Sequence, residues 1–295
     1  MLVPKSTCHP VSDNMACCQL IICPVLQRNG RQRSEPLRPS RPLIVMTRNG
    51  KATATLGFVL SAIAITAAIG AGAGARLALW DFRLGFRILN WAAYFGIAGT
   101  VLSLVGMILV RPGKGMRGFL LAVAGVVLGA LAFGVPGNWF RIAKRVPMIH
   151  DITTDTENPP IFVSVLPLRK DALNSAIYGG PEIAAQQHAA YPDIRPFVSD
   201  IPPAQAYERA RSVARQMCWK IVDENPTEGR IEATATTRWF GFKDDVIIRI
   251  ASSAVNGSRV DIRSVSRVGQ SDVGTNARRI RTFLKKFAEA SKSEG

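Results

Sequence analysis

Four side chains in the C-terminal half have the types that catalysis uses: Asp244, Asp245 and Asp272 as acids, bases or nucleophiles, and Ser266 as a nucleophile. The sequence around them does not complete a site. There is no GxSxG elbow, HExxH pair, phosphate loop or dinucleotide fingerprint. His150 and His188 both precede the core of that half, which leaves no base that titrates near neutral pH. Cys218 is the only cysteine beyond residue 45 and sits in an apolar setting before Trp219, as a core residue rather than a nucleophile. His150, Asp151, Asp155 and Glu157 match no calcium loop and read as a solvated linker. Cys8, Cys17, Cys18 and Cys23 lack the spacing of a zinc site, so no metal and no cofactor is implied.

The stronger pattern is basic. Gly229 to Arg238, Val246 to Ala251 and Arg259 to Val268 alternate with period two, and Asn256-Gly257 joins the last two as a hairpin. Alternation sends Ile231, Ala233, Val246, Ile248, Ile250, Val260 and Ile262 to one face. The other face collects Glu232, Thr234, Thr236, Arg238, Asp245, Arg249, Arg259, Asp261, Arg263 and Arg267. Arg249, Arg263 and Arg267 exceed what Asp245 and Asp261 neutralise. This face is therefore expected to be open, either as a solvated ion-pair ladder or as a surface for anionic lipid headgroups or another anionic ligand. Ser271-Asp272-Val273-Gly274 lies between the last strand and the last helix. Ser271 or Asp272 there would satisfy the free N–H groups of the helix start, and the same terminus, followed by Arg278, Arg279 and Arg281, would also suit an anion, with Asn276 among the candidate contact residues.

Two amphipathic helices must back the apolar face. Ala204 to Met217 places Ala206, Ala210, Val213 and Met217 at helical spacing, and Thr275 to Ala290 places Ile280, Leu284 and Phe287 on one side. A short strand from Trp219 to Val222 gives the order α-β-β-β-β-α. That order implies a two-layer α+β domain with a four-stranded antiparallel sheet over residues 204–295. Residues 141–203 are Pro-rich and read as a linker and extended arm with one short helix near Glu182 to Ala190.

The chain of 295 residues carries a formal net charge of +16, yet 47% of it is hydrophobic. Ala52 to Ala75, Ile88 to Val110 and Gly118 to Phe140 hold no charge over 24, 23 and 23 residues. Each reaches roughly 34 to 36 Å as a helix, enough to cross a bilayer, so residues 46–140 read as a three-span bundle. Most of the basic excess flanks these spans, where it meets anionic lipid, and no interleaved basic and aromatic surface points to nucleic acid. Gly70 with Gly74 and Gly125 with Gly129 have the GxxxG spacing of close helix contacts. Trp80, Trp91 and Trp139 fall at one membrane face as an interfacial belt. No span holds a charged residue or a histidine, the marks of a transport path. Residues 1–45 show no period and read as a disordered tail or an over-extended start before Met46. The basic segment Arg111 to Arg117 favours a cytoplasmic N-terminus and an extracytoplasmic C-terminal domain at the inner membrane.

Residues 150–290 resemble the family catalogued as domain of unknown function 1499. The resemblance runs through Tyr191-Pro192-Asp193, Gly229-Arg230-Ile231-Glu232-Ala233 and Gly241-Phe242-Lys243-Asp244-Asp245-Val246, and above all through the stretch from Arg263 to Asn276. It also fits bacterial proteins in which membrane helices precede this domain, and it brings no established activity. Two functions are open. One is a non-catalytic envelope module that binds lipid, a small molecule or a protein partner; the other is a membrane-tethered hydrolase-like enzyme using the carboxylates named above.

Overall fold

Apolar helices with no charge to hold in water pack on their smallest residues, and three do so here. The computed structural model describes residues 41–110, 116–253 and 257–292. Helices α1 (Arg41–Arg76), α2 (Phe82–Leu109) and α3 (Met116–Ala143) contain the segments Asn49–Arg76, Phe82–Leu109 and Met116–Ala143, each long and apolar enough to cross a membrane. Ala54, Gly57, Ser61, Ala64, Ala68 and Ala71 of α1 are buried against Gly96, Gly99, Ser103 and Gly106 of α2 and Gly118, Ala122, Gly125 and Gly129 of α3. The contact register makes α2 antiparallel to its neighbours. Gly106 meets Ala54 and Gly99 meets Ser61, while Gly125 meets Ser103 and Phe58. The Gly125 and Gly129 pair is thus a helix contact. The Gly70 and Gly74 pair is not: Gly70 faces open space and Gly74 faces the Trp80 ring from the following turn. Trp91 and Trp139 are exposed, whereas Trp80 folds back to donate to the Ala71 carbonyl at 3.2 Å.

The expected tail lies outside the described residues, except that Arg41 to Val45 already belong to α1. Residues 111–115, most of the basic segment between α2 and α3, lie outside them as well, as does Asn256.

After α3 come β1 (Asp151–Thr153), a 3-10 turn (Leu166–Arg169), α4 (Gly180–Ala190), β2 (Phe197–Ser199), α5 (Pro203–Gln216), β3 (Lys220–Asn225), β4 (Arg230–Thr236), β5 (Lys243–Ser252), β6 (Ser258–Ser266) and α6 (Thr275–Lys292). The class is the expected α+β. Among the described residues the sheet has six antiparallel strands rather than four, in the order β1-β6-β5-β4-β3, with β2 also on β6. The two added strands come from the arm and are three residues each, too short for alternation to register. They occupy the edge of β6, which would otherwise expose unpaired backbone groups. The Gln187 side chain extends the same device. It accepts from the Thr153 N–H at 2.9 Å and donates to the Thr153 carbonyl at 2.7 Å, as a further strand would.

The seven residues assigned to the apolar face are buried against α5 and α6 with Tyr207, Ala210, Val213, Ala277, Ile280, Phe283 and Phe287. Trp219 stacks on Phe283 with centroids 5.7 Å apart. Cys218, expected in this core, is exposed instead at the end of α5, with a positive φ of 55° that directs the chain into β3.

Candidate functional site

The opposite face of the sheet is covered. The arm folds back across it and buries Phe162 and Val165 on Ile247 and Val265. Glu232, Asp245, Asp261 and Arg263 consequently retain no more than 2% of their surface. Charges at such burial stay ionised only with close partners, and the arm supplies them. Arg263 forms a two-pronged pair with Asp151 at 2.9 and 2.7 Å, donates to the carbonyls of Pro160 and Ala176, and lies between the rings of Phe162 and Tyr178. Arg267 grips Asp245 at 2.9 and 2.8 Å, and Arg169 from the 3-10 turn reaches the same carboxylate at 2.6 Å. Arg249 and Arg259 share Asp261 and Asp155 at the far end. Glu232 accepts the backbone N–H groups of Val163 and Val165 at 2.8 Å each, and Arg230 at 2.5 Å.

This corrects two expectations. Arg249, Arg263, Arg267, Asp245 and Asp261 do not form an open surface: Asp151 and Asp155 face them from the arm, and with Arg169 and Arg259 five arginines share four carboxylates. Asp151 and Asp155 had read as solvated linker. Nothing in a Pro-rich segment without a period reveals that it returns over a sheet; the only signal was the arginine at the centre of the strand pattern.

The candidates around the last helix form a second knot. Asp272 accepts the N–H groups of Gly274 at 2.9 Å and Asn276 at 2.6 Å, as a cap would. Burial pushes its carboxyl above the ordinary value, more strongly than those two N–H groups lower it. Ser271 accepts from the Val273 N–H and donates to the Pro147 carbonyl. Asn276 donates to the His150 carbonyl at 2.9 Å and to Ser266 Oγ at 3.0 Å, and accepts from Ser264 and Arg279. Arg279 also pairs with Asp244 at 2.5 Å. The stretch from Arg263 to Asn276 therefore ties β6, β1, α6 and the exit from α3 together. The four residues whose types could serve catalysis are all engaged in it or in the covered face. Asp245 is the sharpest case: burial raises its carboxyl, but Arg267, Thr234 and Arg169 together hold it below the ordinary 3.8.

Among the described residues no group of three His, Cys, Asp or Glu is placed to hold a metal ion. A groove of about 360 Å³ between α5 and the β3–β4 turn holds Glu208 and Glu228, exposed and paired with Arg211 and Arg230.

One contact surface had no counterpart in the sequence reading. The β4–β5 hairpin tip, residues 237–242, rests on the helical bundle. Arg76 Nη1 at the end of α1 donates to the carbonyls of Thr237 at 2.8 Å and Arg238 at 2.7 Å. Trp239 covers Gly72, where any Cβ would collide with its ring, and Phe240 lies over Gly85. Phe240 and Phe242 stack at 5.5 Å and meet Phe86 and Phe82 of α2 at 4.9 and 5.7 Å. Gly241 takes a φ of 71° against Arg76, which a side chain would strain.

Among the described residues, three helices long and apolar enough to cross a membrane thus carry a seated α+β domain, with one sheet face under two helices and the other under an arm. Residues 151–287 match the model of the family described as Protein of unknown function (DUF1499). A search of curated proteins returned no match.

Proposed function

We propose that the chain is a multi-span protein of a bacterial inner membrane that holds its α+β domain against the extracytoplasmic face as a non-catalytic binding or interaction module. The seating of the hairpin on α1 and α2 carries this reading. Five aromatic rings, two backbone carbonyls and one arginine fix the domain on its anchor, as suits a module presented at the membrane rather than an enzyme on a free tether. The commitment of Asp244, Asp245, Asp272 and Ser266 to ion pairs, a cap and an amide supports it from the chemical side.

Mass spectrometry of the intact chain extracted from its own membrane tests the proposal. The expected result is a lipid, small molecule or protein retained in fixed proportion. Turnover of ester, phosphate or glycoside substrates that Asp244→Asn abolishes would overturn it.

A further inference from the structure

We propose that the bundle-facing rim of the arm, Leu166, Leu168 and Leu173 with Lys170, lies among anionic lipid headgroups of the bilayer that the bundle crosses. This rests on the reading of the three helices as spanning.

The hydrogen bonds fix where the rim is. Arg267 donates its N–H to the Lys243 carbonyl at 3.0 Å, and Lys243 is the residue at which β5 leaves the hairpin tip. The same Arg267 donates its guanidinium to the Leu168 carbonyl at 2.7 Å and accepts the Asn174 N–H at 3.1 Å. Asn174 also donates its amide to the carbonyls of Ser266 and Gly269. The rim and the hairpin tip thus leave one end of the sheet together. The tip touches Gly72 and Gly85, each about one helical turn inside an apolar segment, so this end of the sheet stands at the membrane boundary.

What the rim presents there matches that boundary. Leu166, Leu168 and Leu173 expose 46%, 52% and 63% of their surface, whereas Phe162 and Val165 of the same arm are buried on Ile247 and Val265. Lys170 is exposed within the same segment and Arg238 and Lys243 are exposed on the hairpin, with Asp171 the one acid between Leu166 and Leu173. Short apolar ledges bordered by lysine and arginine sit at the headgroup level, where the apolar part leaves water and the cations meet anionic lipid. The other end of the arm provides a control. Ile177 is 84% exposed, but its neighbour Ala176 bonds Arg263, which faces Ile247, four residues along β5 from Lys243 and roughly 13 Å away.

The test uses the full chain with its five native cysteines replaced by serine, in nanodiscs of phosphatidylcholine with phosphatidylglycerol. An environment-sensitive fluorophore is attached singly at Leu168→Cys, Leu173→Cys, Ile177→Cys or Ile63→Cys. Emission at 168 and 173 is expected to be blue-shifted and quenched several-fold more by headgroup-labelled nitroxide lipid than at 177. The quenching should weaken in phosphatidylcholine alone and in raised salt. Water-like emission at 168 and 173, with 63 quenched by chain-labelled lipid, overturns the rim while the spans stand. Equal quenching in phosphatidylcholine alone overturns the anionic assignment. Water-like emission at 63 as well overturns the spanning reading, and the rim with it.

Discussion

Arg263 lies between two aromatic rings with both prongs on Asp151, and Asp245 is held by two arginines and a threonine. Removing one member of such a set leaves buried charge uncompensated, which costs about 3 to 5 kcal/mol. Asp245→Asn, nearly isosteric, should destabilise the full chain in detergent by that order, read from thermal melting. Its carboxyl is lowered in the fold, so its contribution is present above the unfolded value of 3.8 and is lost as pH falls through the folded one. The gap between wild type and Asp245→Asn should therefore narrow as pH drops below 3.8. Asp272 behaves oppositely, since its raised carboxyl favours the fold below the unfolded value and less as pH rises through the folded one. Asp272→Ala should cost about 0.5 to 2 kcal/mol through the lost cap. Asp272→Asn, which keeps the acceptor and sheds the buried charge, should cost less at neutral pH. The cap was legible because Asp272 and Gly274 are the residue types that a helix start demands. The pairing of Arg263 with Asp151 and of Asp245 with Arg169 was not, because ion pairs formed across more than 70 positions leave no local period.

The aromatic tip of the hairpin between β4 and β5 packs on α1 and α2 and is expected to hold the domain there. Replacing Trp239 and Phe240 by alanine should leave the core under α5 and α6 intact while freeing residues 237–242. Trypsin should then cleave after Arg238 at least several-fold faster in the full chain, with little change in the melting of the domain. Gly241→Ala should act in the same direction through backbone strain, at a cost of about 1 to 3 kcal/mol. Equal cleavage rates would show that the tip does not hold the domain. Periodicity placed both helices and the four long strands within a few residues. It missed β1 and β2 because three residues cannot display alternation, and it missed the meaning of Trp239-Phe240-Gly241-Phe242 because that run makes sense only against Gly72 and Gly85 of a distant helix pair.

Up-down-up packing puts the start of α1 and the end of α3 at opposite ends of the bundle, with the hairpin, the rim and the basic residues Arg141, Lys144 and Arg145 at the domain end. Alkaline phosphatase fused after Gly295 should be active in a bacterial host if that end faces away from the cytoplasm; an inactive but well-expressed fusion would reverse the orientation. The three long apolar helices were legible because absence of charge over a membrane's width is a signal no neighbour can blur. The pairing of Asp151 with Val265 adds a constraint of time. The two residues lie 114 positions apart. At about 5 to 20 residues per second, the ribosome needs roughly 6 to 23 s to pass from the first to the second. During that interval the bundle is already synthesised, whereas the arm, with Phe162, Val165 and Asp151 still waiting for β6, has no surface to fold against. The domain can close only when its last strand emerges, so its maturation is a late step that follows completion of its anchor.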